Sequence, residues 1–266
     1  MRIDVWLAEN GFAPSRQKAQ ELISAGRVFQ IDSAGRRQKV SKASTAVDLT
    51  LSPKIEVIPD PELGELQFVS RGALKLKGAV EKTGVLLKGA RVFDVGISTG
   101  GFSDYCLHSG AVRVVGVDVG HDQLAQKLRE DARVSLFEGV NARELDRDEW
   151  REKVLGANAG RLFDLIVVDV SFISLRLVLP ALPSYLAPQG KVLALVKPQF
   201  EVGKQGLGKG GIVKDASLYP QVEATIRDLS ASLGLKVESY FESSIPGSDG
   251  NREFFLYATQ PQLGLL

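Results

Sequence analysis

The chain predicts an α/β protein: a doubly wound, mostly parallel sheet, with a small α+β domain in front of it. Three observations carry that reading. Apolar strand-like runs alternate with helical patterns from residue 71 to residue 259; a small-residue loop, Gly96-Ile97-Ser98-Thr99-Gly100-Gly101, follows the apolar pair Val92-Phe93; and acids close successive apolar runs at Asp94, Asp118 and Asp169. Such alternation joins strands through crossover helices, and sheets of this kind take ligands at the carboxyl ends of their strands.

The elements follow in chain order. Pro14-Ser15 reads as a helix start, Ala19, Leu22 and Ile23 share one helical face, and Gly26 stands where a left-handed cap ends the helix. Val28-Phe29-Gln30-Ile31 alternates like a strand, Asp32-Ser33-Ala34-Gly35 turns the chain, Arg36, Arg37, Lys39 and Lys42 follow, and Val47, Leu49 and Leu51 alternate again. A helix-helix-hairpin module over residues 1–58 results. Two prolines, three acids and a glycine within 57–65 mark a linker, placed at 59–66, and residues 67–266 form the larger domain. There the predicted strands are 91–94, 112–118, 134–138, 162–169, 191–197, 236–241 and 253–259, and the predicted helices 71–85, 102–109, 121–131, 146–155, 174–186 and 216–233.

Composition narrows the function. Residues 1–58 hold nine Lys/Arg against six Asp/Glu while the remainder holds 24 against 26, so the small domain is the more basic and suits a polyanion. No apolar run reaches the roughly 18 residues of a membrane span, and Asp4 interrupts any apolar leader, so a cytoplasmic protein with no membrane partner is expected. Cys106 is the single cysteine and His108 and His121 are the only histidines, which gives neither a disulfide nor a ligand set for structural zinc; no metal is expected.

The glycine loop points to a nucleoside cofactor, because glycines let the backbone approach a ligand and the following helix offers unpaired N–H groups. Neither Gly203-Lys204-Gln205 nor Gly208-Lys209-Gly210 supplies the Gly-Lys-Ser/Thr of a phosphate loop. A dinucleotide loop wants glycine where Ser98 stands, and Asp94 would repel a pyrophosphate. That carboxylate suits a cationic cofactor, and S-adenosylmethionine fits best. Asp118 would accept the ribose hydroxyls, and Asn141, after the next strand end, would meet the adenine edge; Gly96, Ser98, Thr99, Gly100, Gly101 and Phe102 complete the expected cofactor site. The plainer reading makes Asp94 a turn cap and Asn141 a loop brace.

Arg2, Asp4, Leu7, Ser15-Arg16, Ala19, Leu22-Ile23 and Gly26-Arg27-Val28 together resemble the RNA-binding module of the S4 type. The resemblance implies that Arg16, Lys18, Arg27, Arg36 and Arg37 face RNA. This chain has Asp32-Ser33 where the module commonly has Asn-Gly. In the larger domain Ser70–Leu76, Val167–Phe172, Leu195–Glu201 and Gly250–Phe255 resemble the Lys-Asp-Lys-Glu set of the FtsJ-like ribose 2′-O-methyltransferases. With both parts present, the chain resembles the TlyA family, whose members methylate the 2′-hydroxyl of cytidines in ribosomal RNA and were first named as haemolysins. The resemblance implies a Rossmann-like methyltransferase sheet, a ribosomal RNA or ribosomal-subunit partner, and Lys75, Asp169, Lys197 and Glu253 as the catalytic four.

The chemistry accounts for those residue types. A ribose hydroxyl is a poor nucleophile, an ammonium beside it stabilises the developing alkoxide, and carboxylates hold lysine and hydroxyl in line. Lys197 is expected to activate the hydroxyl, as base or as electrostatic stabiliser, Asp169 to orient it, and Lys75 and Glu253 to position the ribose. Asp169 and Lys197 end near-continuous apolar runs, where a charge is costly unless paired or open to a cleft. Arg71, Lys204 and Lys209 are further candidates for RNA contact, the two lysines on a glycine-rich stretch, 200–214, that reads as a mobile lid or a plain connection. The competing functions are a non-catalytic RNA-binding assembly protein and a haemolysin-like cytolysin.

Overall fold

The computed structural model describes residues 1–10, 12–13, 16–32, 35–47, 54–58, 68–247 and 250–262. The expected helix start at Pro14-Ser15, the Ser33-Ala34 half of the turn, the alternating Leu49 and Leu51, and the linker at 59–66 lie outside the described residues. The chain forms two compact units, Met1–Val69 and Ser70–Leu266.

The first unit carries α1 (Ile3–Glu9), α2 (Arg16–Ser24), β1 (Val28–Ile31), β2 (Arg37–Lys39) and β3 (Lys54–Val57). β1 is the middle strand of an antiparallel sheet in the order β2-β1-β3. Ile3, Leu7, Ala19, Leu22, Ile23, Val28 and Val47 form its core. Gly26, at φ 69°, turns the chain out of α2 as its position in the sequence implies. One expectation is corrected: the basic run after the turn contains β2, which shows no alternation because all three of its residues are exposed. A third strand forms at 54–57.

Asp4 organises the helix pair. Its carboxylate is fully buried and accepts from Arg2 at 3.0 Å, Arg16 at 2.8 Å and Gln20 at 2.7 Å. Burial alone would raise its pKa, but these donors outweigh it and hold the carboxyl well below the usual carboxylate range.

The second unit runs α3 (Gly72–Thr83), β4 (Arg91–Val95), α4 (Gly101–His108), β5 (Arg113–Asp118), α5 (Gln126–Arg129), β6 (Val134–Glu138), α6 (Asp148–Ala157), β7 (Phe163–Val168), β8 (Leu186–Val196), α7 (Leu218–Ser232), β9 (Lys236–Glu242) and β10 (Phe254–Thr259). The strand order is β6-β5-β4-β7-β8-β10-β9. β6 through β8 are parallel and β10 is antiparallel to both its neighbours, which gives the mostly parallel sheet that the sequence predicts. Chain order reverses between β4 and β7, the switch point where such sheets open a ligand crevice. Phe93, Phe163 and Tyr185 stack beneath it, and the Tyr185 hydroxyl donates to the Leu145 carbonyl at 2.6 Å.

Two predicted helices contract. The 121–131 segment keeps only α5, because the chain first makes a loop in which Asp122 takes φ 55°. The 174–186 segment forms tight 3₁₀ turns at Leu175–Leu177 and Leu179–Tyr185, since Pro180 and Pro183 cannot donate to an α-helical ladder. β8 starts five residues earlier than its apolar run, at Leu186.

Candidate active site

The sheet topology brings the four singled-out charged residues together. Asp169 follows β7, and its N–H donates to the Val95 carbonyl at 3.0 Å, so it sits across the switch point from Gly96. Lys197 follows β8. Phe254 pairs with Val196, so in the antiparallel register Glu253 stands opposite Lys197 on the next strand. Lys75 comes from the first turn of α3.

Lys197 Nζ lies 2.6 Å from Asp169 Oδ1 and donates to Ser171 Oγ at 2.7 Å. Lys75 Nζ donates to Glu253 Oε2 at 2.6 Å, with the two side chains 12% and 4% exposed. A cavity of about 230 Å³ is lined by Lys75, Asp169, Lys197 and Ser171 together with Arg71 and the loop residues Gly96, Ser98, Thr99, Gly101 and Phe102. Glu253 does not line it, being buried against Lys75. A Cβ at Gly247 would come within 2.6 Å of Glu253 Oε1, so a side chain there would displace that carboxylate.

A second cavity, about 620 Å³, shares Gly96, Ser98, Asp169 and Ser171 with the first and extends past Asp118, Val119, Gln123 and Asn141 to Phe172 and Ile173. Its size suits a small ligand. Asp118 Oδ2 accepts from the Ser98 N–H and Oδ1 from the Gly120 N–H, both at 2.8 Å, which helps to hold Ser98 at φ 46° and leaves one lone pair on each oxygen for a ligand. Asn141 lines the cavity while its Oδ1 accepts from the Arg143 N–H at 3.1 Å, so the side chain that braces the loop also borders this space. A Cβ on Gly96, which has φ 88°, would lie 2.5 Å from the Asp169 carbonyl oxygen; only glycine lets loop and strand approach this closely.

Other expected residues stand elsewhere. Asp94 is corrected: it lines neither cavity, and its carboxylate is fully buried under the loop, with Oδ2 accepting from Ser103 Oγ at 2.6 Å and Oδ1 without a hydrogen-bond partner among the described residues. It braces the loop from beneath and opens to neither cavity. Burial raises its pKa to about 7 against the Ser103 hydrogen bond, and the charges of Asp169 and Asp118 add to the rise. The native state therefore holds this proton more tightly than the unfolded chain, and its stabilising effect is complete below about pH 4 and lost as pH rises through about 7. Urea unfolding of this unit between pH 5 and 8 is expected to show stability falling with pH, and Asp94→Asn to flatten that slope; an unchanged slope in the variant would show that the carboxyl is not the titrating group. Gly100 packs on Leu124 and Leu128 and lines neither cavity. Ile97, also in the loop, is buried over Gly116 and lines the smaller cavity.

The sequence singled out neither Ser171 nor Phe172 as a site residue. Ser171 follows from the Asp169 motif only once Lys197 is seen to reach it. Phe172 is 89% exposed at φ 61°, on the rim of the larger cavity, with its ring centroid 5.3 Å from that of Phe200. A bulky residue held exposed in the left-handed region is strained, and strain of this sort gathers at functional sites.

In the first unit the expected RNA-facing cations are already engaged. Arg16 is tied to Asp4, Lys18 to Glu21 at 3.1 Å, Arg36 to Asp32 at 2.8 Å and Arg37 to Glu56, while Arg16, Arg36 and Arg37 keep half or more of their side chains exposed. Arg27 belongs to the turn after α2, and its carbonyl accepts from the Ile58 N–H at 2.8 Å. Among the described residues no group of three or more His, Cys, Asp or Glu could hold a metal ion, and no helix is long and apolar enough to cross a membrane.

A parallel sheet with an antiparallel strand inserted at one side, a glycine loop at its switch point and an acid ending the neighbouring strand define the class of Rossmann-like methyltransferases. The FtsJ-like methyltransferase family matches residues 68–260 and the S4 domain matches residues 1–29. The chain is 42% identical over 256 residues, 96% of its length and 88% of the relative's, to the 16S/23S rRNA (cytidine-2′-O)-methyltransferase TlyA of Mycobacterium tuberculosis. It is 31% identical over 268 residues, 97% of its length and 98% of the relative's, to the 23S rRNA (cytidine-2′-O)-methyltransferase TlyA of Campylobacter jejuni. A solved structure from Streptococcus thermophilus that carries a hemolysin name superposes with a TM-score of 0.70 at 35% identity, covering 100% of this chain and 91% of that one. The chain belongs to the TlyA family of S4-domain, FtsJ-like methyltransferases.

Proposed function

We propose that the chain transfers a methyl group from S-adenosylmethionine to the ribose 2′-hydroxyl of cytidine in ribosomal RNA. The observation that carries this reading is the meeting of Lys75, Asp169 and Lys197 on one cavity, with Glu253 buried against Lys75 and a small-ligand cavity opening alongside.

The residues present fit the cofactor. Gly96, Ser98, Thr99, Gly101 and Phe102 would cradle it, Asp118 would take its ribose hydroxyls and Asn141 its adenine edge. S-adenosylmethionine supplies a methyl group on a sulfonium, an electrophile that needs no metal.

The chain's own groups do the rest. Lys197 has three N–H donors when charged; it is ion-paired with Asp169 and donates one of them to Ser171 Oγ, so donors remain for the 2′-oxygen. Charge building on that oxygen, as it gives up its proton to water in the cavity and takes the methyl group, would be met by an ammonium already in place, the arrangement in which electrostatic stabilisation is largest. Lys75, fixed by Glu253, presents a second cation to the same cavity and orients the ribose. Arg71 lies on the cavity wall and would meet a phosphate of the bound strand. Arg16, Lys18, Arg27, Arg36 and Arg37 of the first unit would supply the sequence-independent hold on folded rRNA.

The decisive experiment is mass mapping of ribose methylation in rRNA from cells with and without this gene, paired with methyl incorporation by the purified protein into naked rRNA and isolated subunits. A 2′-O-methylcytidine that disappears with the gene and is restored in vitro supports the reading. Identical maps and no incorporation would leave an RNA-binding assembly role, and lysis of red cells by the purified protein would favour the cytolysin.

A further inference from the structure

The stretch between Lys197 and α7 is neither a loose lid nor a plain connection. Leu207 and Val213 form an antiparallel bridge, the Gly208 N–H donates to the Ile212 carbonyl at 2.7 Å, and the Lys214 N–H donates to the Gly206 carbonyl at 3.0 Å, closing a small hairpin. Lys204, Lys209 and Lys214 are exposed on it, and none forms an ion pair among the described residues. Gly210 and Gly211 take φ 74° and 76°, and a Cβ on either would meet nothing within 4 Å, so the backbone at the tip is open to a ligand.

A buried side chain anchors the hairpin, in addition to the Lys214 Nζ that donates to the Gln205 carbonyl at 3.3 Å. Asn251, 1% exposed, accepts from the Val213 N–H and donates to the Gly211 carbonyl, both at 3.2 Å. Both amide groups of a buried asparagine are thus spent on this hairpin. Asn251 is two residues from Glu253, and its own carbonyl accepts from the Gly247 N–H at 3.0 Å. The same short segment therefore fixes the hairpin and delivers one half of the Lys75–Glu253 pair.

We propose that the 204–214 hairpin is a second RNA-backbone contact, separate from the first unit, in which Lys204, Lys209 and Lys214 grip phosphates, and that Asn251 is the positioning residue that holds it in shape. This deepens the rRNA reading above and rests on it for the kind of partner. Three cations with no acidic partner among the described residues, on backbone fixed by a buried amide, match phosphates better than any apolar or cationic ligand. A rigid grip also loses less entropy on binding than a free loop would.

The test is fluorescence anisotropy of a fluorescein-labelled single-stranded oligoribonucleotide with the full chain, titrated at several salt concentrations. The triple variant Lys204→Gln/Lys209→Gln/Lys214→Gln, all surface changes, is expected to bind at least about tenfold more weakly at low salt and to lower the slope of log K against log salt by about 2, near 0.7 for each phosphate contact. Asn251→Ala, with every lysine kept, is expected to weaken binding and reduce the slope in part, and to speed amide exchange at 206–213. A purely structural Asn251 would lower the unfolding midpoint and leave the slope alone. Wild-type affinity and slope in the triple variant, or no RNA binding by the wild type, would overturn the proposal. Methyl incorporation is measured separately, so failure of the enzymatic reading would appear there as a wild type that binds RNA and transfers no methyl group.

Discussion

Lys197→Met is expected to reduce methyl transfer to rRNA by about 10²- to 10³-fold or more, the loss seen when one preorganised charge donor is removed from a transition state. Its ammonium is held by Asp169 at 2.6 Å and Ser171 at 2.7 Å, and methionine keeps the length of the side chain while deleting every donor. Affinity for S-adenosylmethionine, measured by calorimetry, is expected to stay within a fewfold of wild type, because the residues placed around the adenosine lie along Asp118 and Asn141 in the adjoining cavity. Turnover at the wild-type rate would remove Lys197 from the reaction. A parallel collapse of cofactor binding would make it a binding residue.

Lys75→Met is expected to cost stability as well as activity. With its carboxylate only 4% exposed, Glu253 would be left as an unpaired buried charge, and breaking such a pair from one side typically costs about 3–5 kcal/mol. Removing both charges in Lys75→Met/Glu253→Gln is expected to recover most of that stability, since a buried pair contributes little net once both members are gone. Methyl transfer is expected to stay lost in the double variant, because the cation facing the ribose is still missing. Urea unfolding and single-turnover methylation separate the two effects. A single variant as stable as wild type would show that water reaches Glu253, and a double variant that regains activity would show that the pair only supports the fold.

Much of the fold was legible because its signals are local. Val114-Val115-Gly116-Val117-Asp118 and Phe163–Val168 are apolar runs long enough only for strands, and strands buried on both faces read as continuous apolar stretches. The failures have equally local causes. β2 is exposed along its whole length and carries no pattern to read, and the 174–186 helix pattern looks sound until two prolines remove its donors. The reach of α5 was overestimated because hydrophobic spacing does not register the Asp122 turn before it.

Site residues divide the same way. Lys197 and Asp169 stand out as charges closing apolar runs, and Asp118 as an acid one strand beyond the loop. Asp94 looked equivalent to them, and burial alone separates it: Asp94 points beneath the loop and supports it, whereas Asp118 lines the larger cavity. Ser171, Phe172 and Asn251 were invisible as functional groups, since a serine, a phenylalanine and an asparagine near charged residues are ordinary until something is seen to touch them.

By itself the amino-acid order determined the alternation of strands and helices, the glycine loop with its flanking acids, and the residue types a ribose-methylating site requires. Only the tertiary structure decided that Glu253 faces Lys75, that Ser171 shares Lys197 with Asp169, and that Asn251 closes the basic hairpin. The physical reason is range: periodicity and turn chemistry act over a few neighbouring residues, whereas the pairing of groups 26 or 178 positions apart is fixed by strand register and burial.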